Sequence, residues 1–553
     1  MDQERKNSPL KLSVWLPLLF AVVLVVGILI GMRLQSEAPT VVDLQEGNAL
    51  SAQNYSKIEE LLRYIEAKYV DEVDRDELID EAITNILEQL DPHSVYYDEE
   101  EVQAVNEQLE GSFDGIGVEF VIVEDTVVVV TPLDGGPAEA AGILAGDKIV
   151  EVEEPVVAGI GITPLGISSL LKGKRGTDVT VGIIRGNEKQ VRRYTLTRNA
   201  IPNESVDVSY MLDDKTGYIK INRFSATTYE EFMQGLEQLI EDHGMEDLVI
   251  DLRQNPGGYL QQATKILSQL FRQRDKLLVY TEGRSVYRSE YESTGRAFFN
   301  IDDIAVLIDE GSASASEILA GALQDQDRAY IIGRRSFGKG LVQEHYSLRD
   351  GSALRLTVAR YYTPSGRWIQ KPYDDREHYR HDLEERLDSG ELSFADRIEI
   401  ADSTKYFTSE GRVVYGGGGI IPDIFISLDT TLMNEYYLHS QRHMRPFAYK
   451  YLKNHPEQFD YNSLEKFKAN FEVNKDLLEA FKTFAKKNGF EGDPAQAAAA
   501  THHMRRALKA VFASNLFDDK GYFSVWNEKD PMVNRAIQEL NKSNPISEYR
   551  HNW

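Results

Sequence analysis

The run Ala305-Val306-Leu307-Ile308-Asp309-Glu310-Gly311-Ser312-Ala313-Ser314-Ala315-Ser316-Glu317-Ile318 reads as a buried strand, a turn of small residues and the start of a helix. A serine in such a turn is held at a helix amino terminus, where free backbone N–H groups suit a developing oxyanion. The same letters have a plainer reading: Ser314-x-x-Glu317 is a capping box, with Ser314 as cap and Glu317 at the third position. Either way the order is strand, turn, helix, and it continues in both directions. Residues 205–365 alternate strands (216–221, 247–252, 276–281, 304–309, 329–332, 354–362) with helices (228–242, 260–270, 315–324). This α/β stretch is the part of the chain that looks like an enzyme core.

Two further runs in that core carry reactive residues. Gly333-Arg334-Arg335-Ser336-Phe337-Gly338-Lys339-Gly340-Leu341-Val342-Gln343 follows a buried strand and sets Lys339 between glycines, beside apolar neighbours. Burial disfavours an ammonium and lowers a lysine's pKa, which is how lysine becomes a base near neutral pH; the alternative is a solvated loop lysine. Gln343 stands four positions on. In an extended strand the two would lie roughly 13 Å apart, on a helical turn about 5–6 Å. If Gln343 orients Lys339, the segment is therefore expected to be helical or tightly coiled. The third run, Leu248-Val249-Ile250-Asp251-Leu252-Arg253-Gln254-Asn255-Pro256-Gly257-Gly258, leads a strand into a glycine turn where Gly257 or Gly258 can offer an N–H to an oxyanion.

Outward from the core the pattern changes. Residues 111–198 hold short β-branched strands with glycine turns (116–123, 126–131, 148–152, 179–185, 190–197) and two short helices, the pattern of a small partly open barrel. Residues 55–90 carry apolar side chains at helical spacing and predict two helices broken near 71–74. Leu90-Asp91-Pro92-His93-Ser94 closes the second, and His93 reads as a satisfied turn histidine. Residues 371–410 are polar and charged, an insertion or flexible flap, and 431–545 read helical throughout.

Composition narrows the function. A chain of 553 residues is too long for one core and predicts three or more units. The net charge of −28 sets aside nucleic acid and anionic lipid as principal partners. With no cysteine there is no thiol nucleophile, thiolate zinc site or disulfide framework. Residues 12–32 are almost wholly apolar and long enough to cross a hydrocarbon core of about 30 Å. Arg5, Lys6 and Lys11 precede this run and only Arg33 closely follows, which puts residue 1 in the cytoplasm. A cleaved signal peptide is the competing reading, but its best site, Ser36-Glu37-Ala38, is followed by Pro39. On both readings the bulk of the chain lies outside the cytoplasm.

Together these motifs resemble those of the carboxyl-terminal processing peptidases, or tail-specific proteases, over roughly residues 55–430. The resemblance is carried, in order, by Leu90-Asp91-Pro92-His93-Ser94, Asn255-Pro256-Gly257-Gly258, the run 311–317 and the run 337–343. Arg360-Tyr361-Tyr362-Thr363-Pro364-Ser365-Gly366 and Gly417-Gly418-Gly419-Ile420-Ile421-Pro422-Asp423 complete it. It implies a Ser-Lys dyad assisted by Gln, with Ser314 as nucleophile, Lys339 as general base and Gln343 orienting the base. It also chooses among the three serines of the run, which local chemistry does not. An oxyanion hole from the Ala315 N–H and one in the Gly257-Gly258 turn, assigned to Gly258, is implied as well. The small barrel is similar to a PDZ domain, with Gly115-Ile116-Gly117-Val118 as its carboxylate-binding loop; Ile116 and Val118 also read as strand core. In this family the PDZ domain commonly gates activity, which implies a resting form with Lys339 displaced from Ser314. No metal or other cofactor is implied. His243 and His345 are set aside as triad bases, and His502-His503 lacks ligand spacing.

The expected fold is multidomain, α/β and α+β. It comprises a cytoplasmic stub and transmembrane helix at 1–34, a linker at 35–54, a helical segment at 55–110, a PDZ-like partly open β-barrel at 111–200, an α/β serine peptidase core at 201–430 and a helical C-terminal region at 431–553. The expected function is a single-pass endopeptidase of the inner membrane, with its catalytic part in the periplasm, cleaving proteins chosen by an exposed carboxyl tail. The alternative is a non-catalytic scaffold that holds peptides with the PDZ domain and helical tail. From position and helical pattern alone, that tail suggests either dimerisation, giving a homo-oligomer, or docking of a partner.

Overall fold

The structure, a computed structural model, describes residues 52–133, 135–186 and 188–542. The anchor expected over 12–32 lies outside the described residues; among those described, no helix is long and apolar enough to cross a membrane. Two compact units divide the chain, 1–83 and 84–553. The described part of the first holds helix Ala52–Lys68 and the beginning of Arg75–Glu88, broken at 71–74 as the spacing predicts.

The second unit is organised on a six-stranded sheet in the order Ile424–Phe425, Tyr330–Gly333, Ile304–Ile308, Asp247–Asp251, Thr216–Ile221, Val206–Met211. All neighbours are parallel except the last pair. Ile304–Ile308 and Asp247–Asp251 are buried throughout, as strands covered on both faces must be. Helices Thr228–Glu241, Leu260–Leu270 and Ala315–Asp325 pack on one face. The other is covered by Pro531–Leu540, whose Met532, Val533, Ala536 and Leu540 join Val249, Ala305, Leu307 and Ile332 in one apolar cluster. The far end of the chain is thus part of the peptidase core, which the expected boundary at 430/431 had separated.

A second, antiparallel sheet runs Val95–Tyr97, Ala353–Tyr362, Arg274–Glu282, Ser289–Thr294, with Leu341–Ser347 also pairing to Ala353–Tyr362. Of the two forms expected for 339–343 if Gln343 orients Lys339, helical or tightly coiled, the helix is not found: Gln343 lies in a strand. The reach to Lys339 comes from Lys339 standing in the preceding loop, after Gly338 at φ 88°, and from a register shift between Val342 and Gln343.

Residues 118–197 form a five-stranded antiparallel sheet around Val127, Ile149, Ile167 and Val181. The strands that lead in and out, Ser112–Gly115 and Asn199–Pro202, pair with each other, and the Asn203 N–H donates to the Gly111 carbonyl at 2.9 Å. The helical tail has its own core of Phe447, Phe467, Phe481 and Phe512. Its helix Met444–Asn454 contacts edge strand Val118–Val123 through Arg445 with Glu119 (3.6 Å) and an ion pair of Lys450 with Glu124.

The 371–410 segment is an ordered insertion, not a flexible flap. It carries helix Arg376–Asp388, and its Arg386 shares the buried carboxylate of Glu391 with Arg335 (2.9 and 2.7 Å). Arg386 also donates to the Arg335 carbonyl at 2.6 Å. Three of the segment's charges, Lys371, Arg386 and Glu391, are turned inward and paired, the condition for burying them, while most of the others stay exposed.

Candidate active site

Ser314 leaves strand Ile304–Ile308 through a turn fixed by Asp309, whose carboxylate accepts the N–H groups of Gln254 (2.9 Å) and Gly311 (3.0 Å) and the Gln254 amide (2.8 Å). Ser314 has φ 54° and ψ −112°, a backbone state that costs an L residue about 1–3 kcal/mol and persists only where its surroundings enforce it. The three serines are structurally distinct. Ser312 and Ser316 are fully buried and their hydroxyls donate to the carbonyls of Leu252 (2.8 Å) and Asn255 (3.0 Å). Ser314 is half-buried and lines a cleft of about 630 Å³.

Lys339, Gln343 and Gly258 line the same cleft. Lys339 Nζ donates to Gln343 Oε1 at 2.9 Å, and Gln343 Nε2 donates to the His93 carbonyl at 2.7 Å. No hydrogen bond joins Lys339 Nζ to Ser314 Oγ. Burial, with Arg355 nearby, pushes the Lys339 amine down to about 8, while Glu317 and Asp91 act against the shift.

The Gly257 N–H is committed to Asn255 Oδ1 (2.9 Å), whereas those of Gly258 and Ala315 make no internal hydrogen bond among the described residues. A Cβ on Gly257 would stand 2.7 Å from Ser314 Cβ and 2.9 Å from the Ala315 nitrogen, so this turn closes on the serine only as glycine.

Two residues missed as site residues tie the serine and lysine loops together. Glu317, fully buried, accepts the N–H of Ser314 (2.9 Å) and of Lys339 (2.8 Å) on Oε2, and the N–H of Gly338 (2.7 Å) and the Ser336 hydroxyl (2.5 Å) on Oε1. Burial pushes its carboxyl up to about 7, and these donors oppose the shift. The capping box was visible in the sequence, but nothing local signalled the second loop. The Tyr361 hydroxyl lies 2.5 Å from the Lys339 carbonyl and 3.2 Å from that of Ser314. His345 does line the cleft, but its ring stacks on Tyr97 at 6.2 Å and has no hydrogen bond to Ser314. His243 is exposed and lies apart, and His503 is buried while His502 is exposed.

The chain is 37% identical over 321 residues to carboxy-terminal processing protease CtpB of Bacillus subtilis, covering 57% of this chain and 65% of the relative. It is 33% identical over 352 residues to the carboxy-terminal-processing protease of Bartonella bacilliformis, covering 63% of this chain and 79% of that one. It belongs to the carboxyl-terminal processing proteases. Peptidase family S41 matches residues 215–375, a PDZ domain 115–193, the N-terminal domain of the activating protease CtpB 25–101, and a family of unknown function 436–518. Among solved structures, the photosystem II D1 C-terminal processing protease is 32% identical, covering 56% of this chain and 83% of that one, with a TM-score of 0.32. The match to CtpB stops just short of two thirds of that relative's length.

In this processing protease the PDZ segment begins at the expected loop. Gly117 has φ 73°, the carbonyls of Ile116 and Gly117 accept from Ala138 (2.9 Å) and Leu133 (3.0 Å), and the N–H groups of Ile116 and Gly117 make no internal bond among the described residues. Ile116 is also core and Val118 packs against that core, as the strand-core reading of these residues expects. Val118–Val123 is the edge strand of its sheet.

Proposed function

We propose that this chain is a membrane-anchored serine endopeptidase of the periplasmic face, in which Ser314 is the nucleophile, Lys339 the general base and Gln343 the residue that orients it. The observation that carries the reading is a strained, half-buried serine sharing one cleft with a lysine whose amine is desolvated and held by a glutamine. Ser314 attacks the scissile carbonyl as neutral Lys339 takes its proton; the acyl-enzyme is then hydrolysed by water. The unpartnered N–H groups of Gly258 and Ala315 support an oxyanion hole. Catalytic hydrogen bonds lengthen in unliganded enzymes, so the missing Ser314–Lys339 bond agrees with a base that engages on substrate binding. Free N–H groups at Ile116 and Gly117 beside an edge strand support capture of a carboxyl tail, with Val118 opening the strand that pairs with it.

The test is degradation of an unfolded reporter with an apolar carboxyl tail. Wild type is expected to cleave it, Ser314→Ala and Lys339→Ala to lower the rate by at least about 10³-fold, and amidation of the reporter's tail to slow it. Tail binding without turnover by wild type would favour the scaffold reading and sink this one.

The rate should also depend on pH with a known sign. Only the neutral amine accepts the serine proton, so activity is expected to rise with pH around a midpoint near the value of about 8 that burial gives Lys339. A limb centred near the ordinary histidine pKa of about 6.5 would assign the base elsewhere.

A further inference from the structure

The dyad and its glutamine leave one question of geometry: what decides which end of the Gln343 amide faces Lys339. The carbonyl of His93 does. It accepts the Gln343 NH₂ at 2.7 Å, which turns Oε1 toward the lysine amine at 2.9 Å. A flipped amide would set two donors against an amine and leave the His93 carbonyl unsatisfied.

That carbonyl is fixed from two sides. On the backbone side Asp91 Oδ1 accepts the N–H groups of His93 (2.8 Å) and Ser94 (2.9 Å), and the Thr357 hydroxyl reaches the same oxygen at 3.1 Å. On the ring side His93 Nε2 lies 2.6 Å from the Tyr379 hydroxyl, which is carried by insertion helix Arg376–Asp388. Burial, then Lys339 and other cations, pushes His93 down to about 3, so its ring is neutral and takes the tyrosine O–H as acceptor. Phe337 packs edge-on against both rings, with centroids at 6.5 and 6.3 Å. The Lys371 ammonium lies 4.2 Å from both the Phe337 and Tyr379 centroids, and the backbone N–H of Lys371 donates to the Gly338 carbonyl at 2.9 Å. Tyr379 stands beyond the segment 215–375 that matches the peptidase family.

We propose that Tyr379 and His93 form a positioning arm, through which the inserted helix fixes Gln343 and so the amine of Lys339. The inference rests on the Ser314–Lys339 reading. Neither residue touches substrate; both act through Gln343.

The test uses the full chain and the tailed reporter. Misplacing a reacting group by an ångström costs up to about 10²-fold. Tyr379→Phe, which removes one oxygen, is expected to lower kcat at about pH 8 roughly tenfold with KM unchanged, and His93→Ala to lower it further. His93→Ala also removes a ring that shields Lys339, and burial is the main cause of that lysine's shift. Its pH midpoint should therefore move up toward the ordinary 10.5, with activity partly recovered at high pH. The other charges facing Lys339, namely Arg355, Glu317 and Asp91, stay in place in both variants. A lysine titration by ¹³Cε NMR, assigned with Lys339→Arg, reads the same midpoint without turnover.

A merely structural role would lower the folded fraction and leave the midpoint alone. Wild-type kcat and midpoint in Tyr379→Phe, or losses that follow only the folded fraction, would overturn the arm. Full cleavage by Ser314→Ala or Lys339→Ala would instead overturn the dyad on which it rests.

Discussion

Removing helix Pro531–Leu540 is expected to leave a chain without a cooperatively folded peptidase core. Met532, Val533 and Leu540 are almost fully buried against the central sheet. Each such side chain contributes about 1.5–3 kcal/mol, so together the three are worth roughly 4.5–9 kcal/mol, against a total stability of about 5–15 kcal/mol. The loss is compounded at the other end of the contact, because Val249, Ala305, Leu307 and Ile332 would then face water. The preceding Asp530 caps this helix and pairs with Arg253 at 2.7 Å, and Arg253 in turn is bound to buried Asp251. Against the penalty of full burial, Arg253 and Lys220 hold the Asp251 carboxyl well below the usual carboxylate range. Urea unfolding of a chain ending at 529, beside Val533→Ala as a milder lesion of about 1 kcal/mol, measures the effect. An unchanged unfolding midpoint for the shortened chain would show that the helix is an accessory after all.

Glu317 is the second point at which a single change should have a large effect. Its carboxylate takes four donors from two neighbouring loops, and two of those donors are the backbone N–H groups of Ser314 and Lys339. Glu317→Ala leaves these donors buried without partners, at about 1–3 kcal/mol for each one not rescued by water. A destabilisation above about 4 kcal/mol is expected. Glu317→Gln keeps the volume but turns an NH₂ toward two of the donors. It should stay folded, yet lose at least about 10²-fold in reporter cleavage as the two loops move apart. Measured together, thermal unfolding and cleavage separate the two effects. Near wild-type cleavage by Glu317→Gln would show that the serine and lysine loops keep their register without it.

The contrast between Ser314 and Glu317 shows how far the chain can be read before it is folded. Ser314 and Lys339 stood out as candidates because each lies in a run of small residues or glycines next to a buried strand. The local letters left a helix cap and a solvated lysine open, and the choice of Ser314 among three serines came from the resemblance. Glu317 was legible only as a cap, since the other half of its task involves residues 336–339, across a strand and a turn. Gln343 does meet Lys339, but the local structure that brings them together was not legible, because four residues were measured along an ideal strand or an ideal helix. The chain uses a loop, a positive-φ glycine and a register shift instead. The role of Pro531–Leu540 was illegible for another reason. Parallel strands buried on both faces read as continuous apolar runs, so the sequence does not reveal which layer covers the second face.

The pairing of Ser112–Gly115 with Asn199–Pro202 bears on how the two domains share free energy. When the inserted domain is folded, the surrounding enzyme meets only a short bridge, closed by the hydrogen bond from Asn203 to Gly111. When it is unfolded, the enzyme carries a long loose loop whose closure entropy grows with (3/2)RT ln n, about 0.6 kcal/mol for each doubling of length. The order of one domain is therefore a modest but direct contribution to the order of the other. Anything that stabilised the inserted domain would stabilise the surrounding domain through this term alone, before any movement of one domain against the other.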